Sequence, residues 1–319
     1  MQKILILRFS SIGDIVLTTP VVRCLKKQLN AEIHYFTKPS FKGILESNPY
    51  VDKVIALEDN LTKQLSELRK EGYDTIIDLH NNIRTLKIKR ALKRPSFSFN
   101  KLNIQKWLLV KFHINKMPNI HIVDRYMETT KHLGVKNDNE GLDYFIPTKD
   151  EVNTFEVLPL GFDTYAGFVI GGQHATKMLP EDKIAEVCGK ITSKVILLGG
   201  PEDAEKGERI QEKIGIDKVF NAAGKFNLNQ SASLVDQAQF IITHDTGLMH
   251  IAAALKKKIY SVWGNTVPEF GMYPYLPAEG SIQFEVKGLN CRPCSKIGHK
   301  ECPKGHFKCM VNQEIIIPE

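Results

Sequence analysis

No stretch of this 319-residue chain is apolar for long enough to cross a bilayer. Its longest hydrophobic runs, Ile4–Leu7 and Lys194–Leu198 with its flanks, are strand-sized, whereas a spanning helix takes ~20 residues. Nor does the start resemble a secretory leader, because Met1-Gln2-Lys3 leads into only four apolar residues before Arg8. Cytoplasmic residence is the expectation. Also missing are a G-x-x-x-x-G-K-[ST] phosphate loop, an Asp-x-Asp pair near the candidate site loops, and any short tandem repeat. One further absence is local. Acidic residues are missing between Arg84 and Lys116, a block that holds Arg84, Lys87, Lys89, Arg90, Lys93, Arg94, Lys101, Lys106, Lys111 and Lys116. Such a block expects an anionic partner, a phosphorylated substrate or a membrane surface, unless it is a solvated basic face. Nucleic acid is not expected, since the block carries no recognition motif and the rest of the chain is close to neutral.

What is present reads as a soluble globular protein, 42% hydrophobic and 25% charged, with a length that suits two domains. Short β-branched runs alternate with amphipathic stretches. Strands are expected over 3–7, 32–36, 53–57 and 75–79, and helices over 15–29, 61–70, 82–92, 104–112 and 121–133. A polar stretch with Pro147, Pro159 and Gly161 follows, and the alternation then restarts. Strands are expected over 165–170, 194–198, 219–221, 240–243 and 258–263, with helices over 180–190, 202–214, 228–238 and 247–255 between them. Apolar strands of this length, separated by helices, mean parallel sheets covered on both faces. The expected fold is α/β, with two Rossmann-like doubly wound domains over residues 1–155 and 156–319 and a cleft between them.

In open α/β sheets, ligands bind at the carboxyl ends of strands, and four such loops carry chemistry. The first is Arg8-Phe9-Ser10-Ser11-Ile12-Gly13-Asp14, with two hydroxyls, a glycine and a carboxylate. Asp14 reads either as a helix-start carboxylate or as a general base. The latter needs burial or an apolar wall to offset the lowering effect of the helix terminus. The second is Gly171-Gly172-Gln173-His174-Ala175-Thr176-Lys177, where glycines open the backbone and Lys177 can meet a phosphate. The third, Gly199-Gly200-Pro201-Glu202-Asp203, offers a carboxylate to ribose hydroxyls or simply starts a helix. The fourth is Thr243-His244-Asp245-Thr246-Gly247-Leu248-Met249-His250. There Asp245 or Thr246 can cap a helix, Gly247 leaves first-turn N–H groups open to an anion, and His250 lies one turn on.

Four of the six cysteines crowd into Cys291, Cys294, Cys302 and Cys309, interspersed with His299 and His306. Those ligand types and the surrounding prolines and glycines suit a small structural zinc or an iron–sulfur cluster, as against four reduced cysteines in a loop or disulfides formed only on oxidation. Cys24 and Cys188 lie in helix-like stretches and read as buried apolar residues.

Taken together, Arg8-x-Ser10-Ser11-x-Gly13-Asp14-x-x-x-Thr18-x-Pro20 and Asp245-Thr246-Gly247-x-x-His250-x-Ala252-Ala253 resemble the two signatures of the lipopolysaccharide heptosyltransferases, glycosyltransferase family 9. The resemblance runs from residue 3 to about residue 310. It implies a GT-B architecture and inverting, metal-independent transfer of a heptose from an ADP-sugar to a lipid A–core acceptor. By position it implies Asp14 as base, Lys177 facing the diphosphate, and Thr246 and Gly247 on phosphate with His250 beside them. Ser10, Ser11, Gly13, Thr176 and Asp245 join them as donor contacts, Asp203 would meet the ribose, and Phe226 lies where the family flanks the adenine. Leu179 stands where a tryptophan is common, and Asn265-Thr266-Val267-Pro268 matches the family's later loop only loosely.

The chemistry agrees with a transferase. A nucleotide diphosphate leaves as an anion and needs no general acid, so one carboxylate opposite an anion cradle is enough. Glycosidases, which expel an alcohol, usually need two carboxylates. An epimerase would need further acid–base groups, and a non-catalytic nucleotide-sugar-binding module would not need Asp14. The expected partners are a nucleotide-sugar donor and an anionic glycolipid. The expected setting is a monomer that touches the inner face of the cytoplasmic membrane through residues 84–116.

Overall fold

The structure, a computed structural model, describes residues 1–318. The chain forms two compact units, one from Met1–Lys101 with Ile120–Phe145, the other from Leu102–Asn119 with the residues from Ile146 onwards. Among the described residues no helix is long and apolar enough to cross a membrane.

The first unit is built on β1 (Lys3–Leu7), α1 (Ile12–Val16), α2 (Thr19–Leu29), β2 (Glu32–Thr37), β3 (Lys53–Ala56), α3 (Leu61–Lys70), β4 (Thr75–Asp78), α4 (Ile83–Leu92) and β5 (Ser96–Ser98). The helix α5 (Asn103–Phe112) belongs to the second unit, and the chain returns to the first with α6 (Ile122–Met127). Its sheet is parallel throughout, in the order β3-β2-β1-β4-β5. The central strand β1 is buried from Ile4 to Leu7, as a parallel strand covered on both faces must be. Leu5, Leu7, Phe36 and Ile76 form its core with Leu68 of α3 and Ile88 of α4.

One helix expected over 15–29 is two. Pro20 has no N–H to give the carbonyl of Val16, and the Thr19 hydroxyl donates to that carbonyl instead at 2.7 Å. The first helix therefore starts earlier, at Ile12, and Asp14 stands in its first turn. Helix starts elsewhere follow side-chain caps. Asn60 accepts from Lys63 N–H at the start of α3, and Asn82 and Thr85 bond reciprocally at the start of α4.

The second unit continues with α7 (Thr154–Val157), β6 (Tyr165–Val169), α8 (Glu181–Lys190), β7 (Lys194–Leu198), α9 (Ala204–Ile214), β8 (Val219–Asn221) and α10 (Leu228–Gln237). It ends with β9 (Phe240–His244), α11 (Gly247–Ala254), β10 (Lys258–Trp263), β11 (Ile282–Glu285) and α12 (Lys308–Val311). The order β11-β10-β9-β6-β7-β8 is again parallel. Each sheet winds outward from its first strand in one direction and then in the other. The order reverses between β1 and β4 in the first unit and between β6 and β9 in the second. Such reversal points are where open α/β sheets leave a crevice at the carboxyl ends of their strands. These two Rossmann-like units are the GT-B fold class expected from the sequence. The short edge strands β5 and β11, which lack a strong apolar pattern, went unforeseen.

Within the first unit, Arg23 of α2 is buried and holds the 138–143 loop. It binds both oxygens of Asp138 at 2.8 Å, the carbonyl of Gly141, and Asp143. Removing one partner of a buried charge network strands the other charges. Arg23→Met is therefore expected to lower stability by about 3 kcal/mol or more, read from urea unfolding of the whole chain. A loss below about 1 kcal/mol would show that the loop is held by other contacts.

Candidate active site

In the first unit, the loops after β1 and β4 flank the reversal point. Arg8 leaves β1 and turns back: its Nη1 donates to Leu79 O at 2.6 Å and to the Tyr126 hydroxyl at 3.1 Å, and its Nε donates to Ser10 O. That leaves Nη2 2.7 Å from Asp14 Oδ2. The same carboxylate accepts from the backbone N–H and the hydroxyl of Ser11, at 3.2 and 3.0 Å. Burial acts to raise the Asp14 pKa, but the Arg8 charge and the two Ser11 donors outweigh it, and the carboxyl lies below its ordinary value. Asp14 is thus both a helix-start residue and an ionised carboxylate held in one orientation. Gly13 is buried, whereas Ser10 is half-buried and Ser11 exposed.

His80, at the carboxyl end of β4, escaped the sequence reading. Its ring meets Phe9 edge-on at 5.5 Å, and its buried Nδ1 has no hydrogen-bond partner among the described residues. Burial, and then the charges of Arg8 and Lys101, push its pKa down to about 4. The backbone after β4 is fixed by Asp78, which is fully buried, pairs with Lys89 and accepts from the N–H groups of His80 and Asn81. Arg84 places its guanidinium over the Phe9 ring at 5.4 Å. A histidine directly after an apolar strand was the signal available.

In the second unit, the loops after β6, β9 and β10 meet on one carboxylate. Lys177 Nζ is 2.6 Å from Asp245 Oδ2, and the Thr266 hydroxyl donates to the same oxygen at 3.0 Å. Thr246 is the residue before α11, in extended conformation, and no side chain caps the helix. Its hydroxyl lies 3.4 Å from that of Thr243. The first-turn N–H groups of α11, beginning with Gly247, are therefore available to an anion, on the dipole's positive end. His250 is buried in that helix. His244 accepts the N–H of Leu179 at 3.0 Å, and burial pushes its pKa down to about 3, so it is a neutral strut.

Asp203 is 5% exposed, and its carboxylate accepts from Gly200 N–H at 2.9 Å. A Cβ on Gly171 would stand 2.0 Å from its Oδ2, and one on Gly199 2.8 Å from it. Those two glycines make room for Asp203 itself. Phe226 is half-buried in the loop after β8, on the same edge of the sheet.

The cysteine-rich segment braces these loops. His299 N–H donates to the Thr176 hydroxyl at 2.8 Å, and Thr176 N–H donates back to His299 O. Arg292 donates to Gly264 O, Thr266 O and Val286 O and pairs with Glu285 at 2.8 Å. Thr176 is thus held by this brace. The four cysteines are free thiols, with Cys291 Sγ 3.7 Å from His306 Nε2. Among the described residues, no three His, Cys, Asp or Glu side chains stand together as a metal-ligand set. Beside Thr266 lies Asn265, 1% exposed, with neither amide atom partnered among the described residues. The sequence singled out Asn265 and Thr266 only as part of a loop that loosely matches the family's, with no role assigned to either side chain.

The glycosyltransferase family 9 (heptosyltransferase) model matches residues 61–304. The chain belongs to that family and is a glycosyltransferase. It is 28% identical over 298 residues to lipopolysaccharide heptosyltransferase 1 of Campylobacter coli, covering 83% of this chain and 84% of that one. Among solved structures, a family 9 glycosyltransferase from Veillonella parvula matches with 26% identity and a TM-score of 0.72, over 88% of this chain and 86% of that one. Escherichia coli ADP-heptose lps heptosyltransferase II matches with a TM-score of 0.71 over 98% of both chains, at 20% identity.

The neutral histidines set a pH dependence. Unfolded, His80 and His244 take up a proton near pH 6.5, whereas folded they refuse it down to about 4 and about 3. The unfolded state then binds more protons, so stability is present above pH 6.5 and is lost as pH falls toward those values. Between pH 7 and pH 5, fully buried His244 alone should remove about 2 kcal/mol. Urea unfolding at the two pH values, with His244→Asn as reference, is the check. Equal pH slopes for wild type and variant would contradict it.

Proposed function

We propose that the chain is an inverting transferase that moves a heptose from an ADP-sugar onto a lipopolysaccharide core or lipid A acceptor, with Asp14 as general base. The observation that carries this reading is the Lys177–Asp245–Thr266 network beside the uncapped start of α11. It gathers a fixed cation and free N–H groups at one crevice of the second sheet. That combination suits a leaving diphosphate. The donor and acceptor are supported by the names of the relatives, which include ADP-heptose and lipopolysaccharide.

In this reading the acceptor O–H gives its proton to the Asp14 carboxylate as its oxygen bonds to the anomeric carbon. The bond from that carbon to the phosphate oxygen breaks on the opposite face, its electron pair leaves on ADP, and the configuration inverts. Lys177 and the Thr246–Gly247 turn stabilise the charge that develops on the diphosphate, Phe226 borders the adenine, and Asp203 supports the ribose side. The low pKa of Asp14 keeps it ionised, at the expense of drive for taking the proton. Ser10, Ser11 and Gly13 shape the anion-facing backbone around it, and His250 backs the phosphate turn. No step calls for a metal.

A structural zinc or iron–sulfur cluster on Cys291, Cys294, Cys302 and Cys309 would have to draw the thiols together and would tighten the brace on Thr176 and Thr266. Metal analysis of the reduced protein checks this, with less than about 0.2 equivalents of zinc or iron sinking the idea. The enzyme is proposed to act as a monomer at the inner face of the cytoplasmic membrane, which it meets through residues 84–116.

Asp14→Ala should lower kcat by about 100-fold or more while ADP-heptose still binds. Near-wild-type transfer by a variant that binds donor would remove Asp14 from the base role. The acid limb of kcat/KM should lie below the ordinary carboxylate range and move up in Arg8→Met, because the Arg8 charge is what holds the carboxyl down. Lys177→Met should cost about 3 kcal/mol in transition-state stabilisation, read from kcat/KM.

A further inference from the structure

The helix α5 packs within the second unit through a small apolar cluster. Leu109, with Val110 and Met117 beside it, packs on Val267 and Phe270. At helical spacing, Ile104, Trp107, Leu108, Lys111 and Phe112 fall on the opposite face. That face is open: Ile104 is 72% exposed, Trp107 51% and Phe112 56%, and Ile114 just beyond is 46% exposed. Trp107 and Phe112 meet edge-on at 5.0 Å, which makes them one aromatic ridge. Scattered exposed apolar residues need no explanation, but a contiguous aromatic and aliphatic ridge does.

Its charge says what would cover it. Lys111 lies within the ridge and Lys116 follows it, and no Asp or Glu occurs between Leu102 and Asn119. A protein partner's apolar patch would not call for one sign of charge. A bilayer with anionic headgroups does: aromatic rings settle at the interface, and lysine stems lie along apolar surface with their charges in the headgroup layer. The helix α4 repeats the combination, with Ile83 76% and Leu86 41% exposed at helical spacing from Lys87 and Arg90.

We infer that the outer face of α5 docks on an anionic phospholipid bilayer, with Ile104, Trp107 and Phe112 in the interface. This deepens the membrane contact in the proposed function and rests on that reading for its purpose. The test uses the full chain and vesicles of phosphatidylcholine mixed with phosphatidylglycerol, beside pure phosphatidylcholine. The chain has two tryptophans, and Trp263 is 1% exposed, so a blue shift on mixing reports Trp107. The mixed vesicles should produce that shift and pure phosphatidylcholine much less, and added salt should weaken binding. Trp107→Ser combined with Phe112→Ser, both surface changes, should lower partition by about tenfold or more. Equal partition of the double variant would overturn the inference. So would binding only to vesicles that carry the glycolipid acceptor, or a shift from dimer to monomer in the variant without vesicle binding. With a water-soluble core-oligosaccharide acceptor the double variant should transfer at the wild-type rate, and with vesicle-embedded acceptor it should be slower. Wild-type failure on both acceptors would count against the transferase reading, and the vesicle partition would still judge the helix.

Discussion

The second unit is organised around the ion pair between Lys177 and Asp245. The two residues come from loops after β6 and β9, which are neighbours in the sheet but lie far apart in the chain because the strand order reverses between them. With side chains 17% and 12% exposed, the pair is shielded from water enough to be directional, while the Thr266 hydroxyl satisfies the carboxylate further. Its consequence lies in what Asp245 does not do. A carboxylate in that position could cap α11, yet it is turned to Lys177, and the first-turn N–H groups stay open. Cation and helix terminus are made available by one side-chain choice.

The first unit solves a related problem with the opposite charge. Arg8 is anchored by two carbonyls and a tyrosine hydroxyl, so its remaining nitrogen fixes Asp14 rather than wandering with it. The carboxylate is oriented and kept ionised by the same contact. Neutral His80 stands nearby without adding a positive charge. Arg292 and His299 play a supporting part in the second unit, fastening the cysteine-rich segment to backbone at Thr266 and Thr176.

Much of this was legible in the residues. The parallel sheets followed from short apolar strands alternating with helices, and the strand-end loops followed from the rule that such sheets bind ligands there. Asp14, Lys177, Asp245 and Thr246 carried polar groups at those ends, which is why they could be named. Local pattern could not reveal contacts across the sheet. Nothing in Gly171 and Gly199 distinguishes a backbone that approaches phosphate from one that makes room for Asp203, and only the fold puts them together. For the same reason His80 was missed, and Asn265 and Thr266 were named only as part of a loosely matching loop. The split between α1 and α2 was readable in Pro20, but Thr19 as the substitute donor was not.

The placement of α5 has a consequence for how the molecule is made. Its residues leave the ribosome before Ile120–Phe145, which complete the first unit, and long before Val267 and Phe270, on which Leu109 packs. The first unit must therefore close around a loop that has no use for it. Until the last third of the chain emerges, that loop displays both the inner and the outer apolar side of α5. In that interval a nascent chain carries an apolar helix unprotected. If the outer face docks on a bilayer as inferred above, a membrane close to the ribosome would cover that side before the inner side has found its partner.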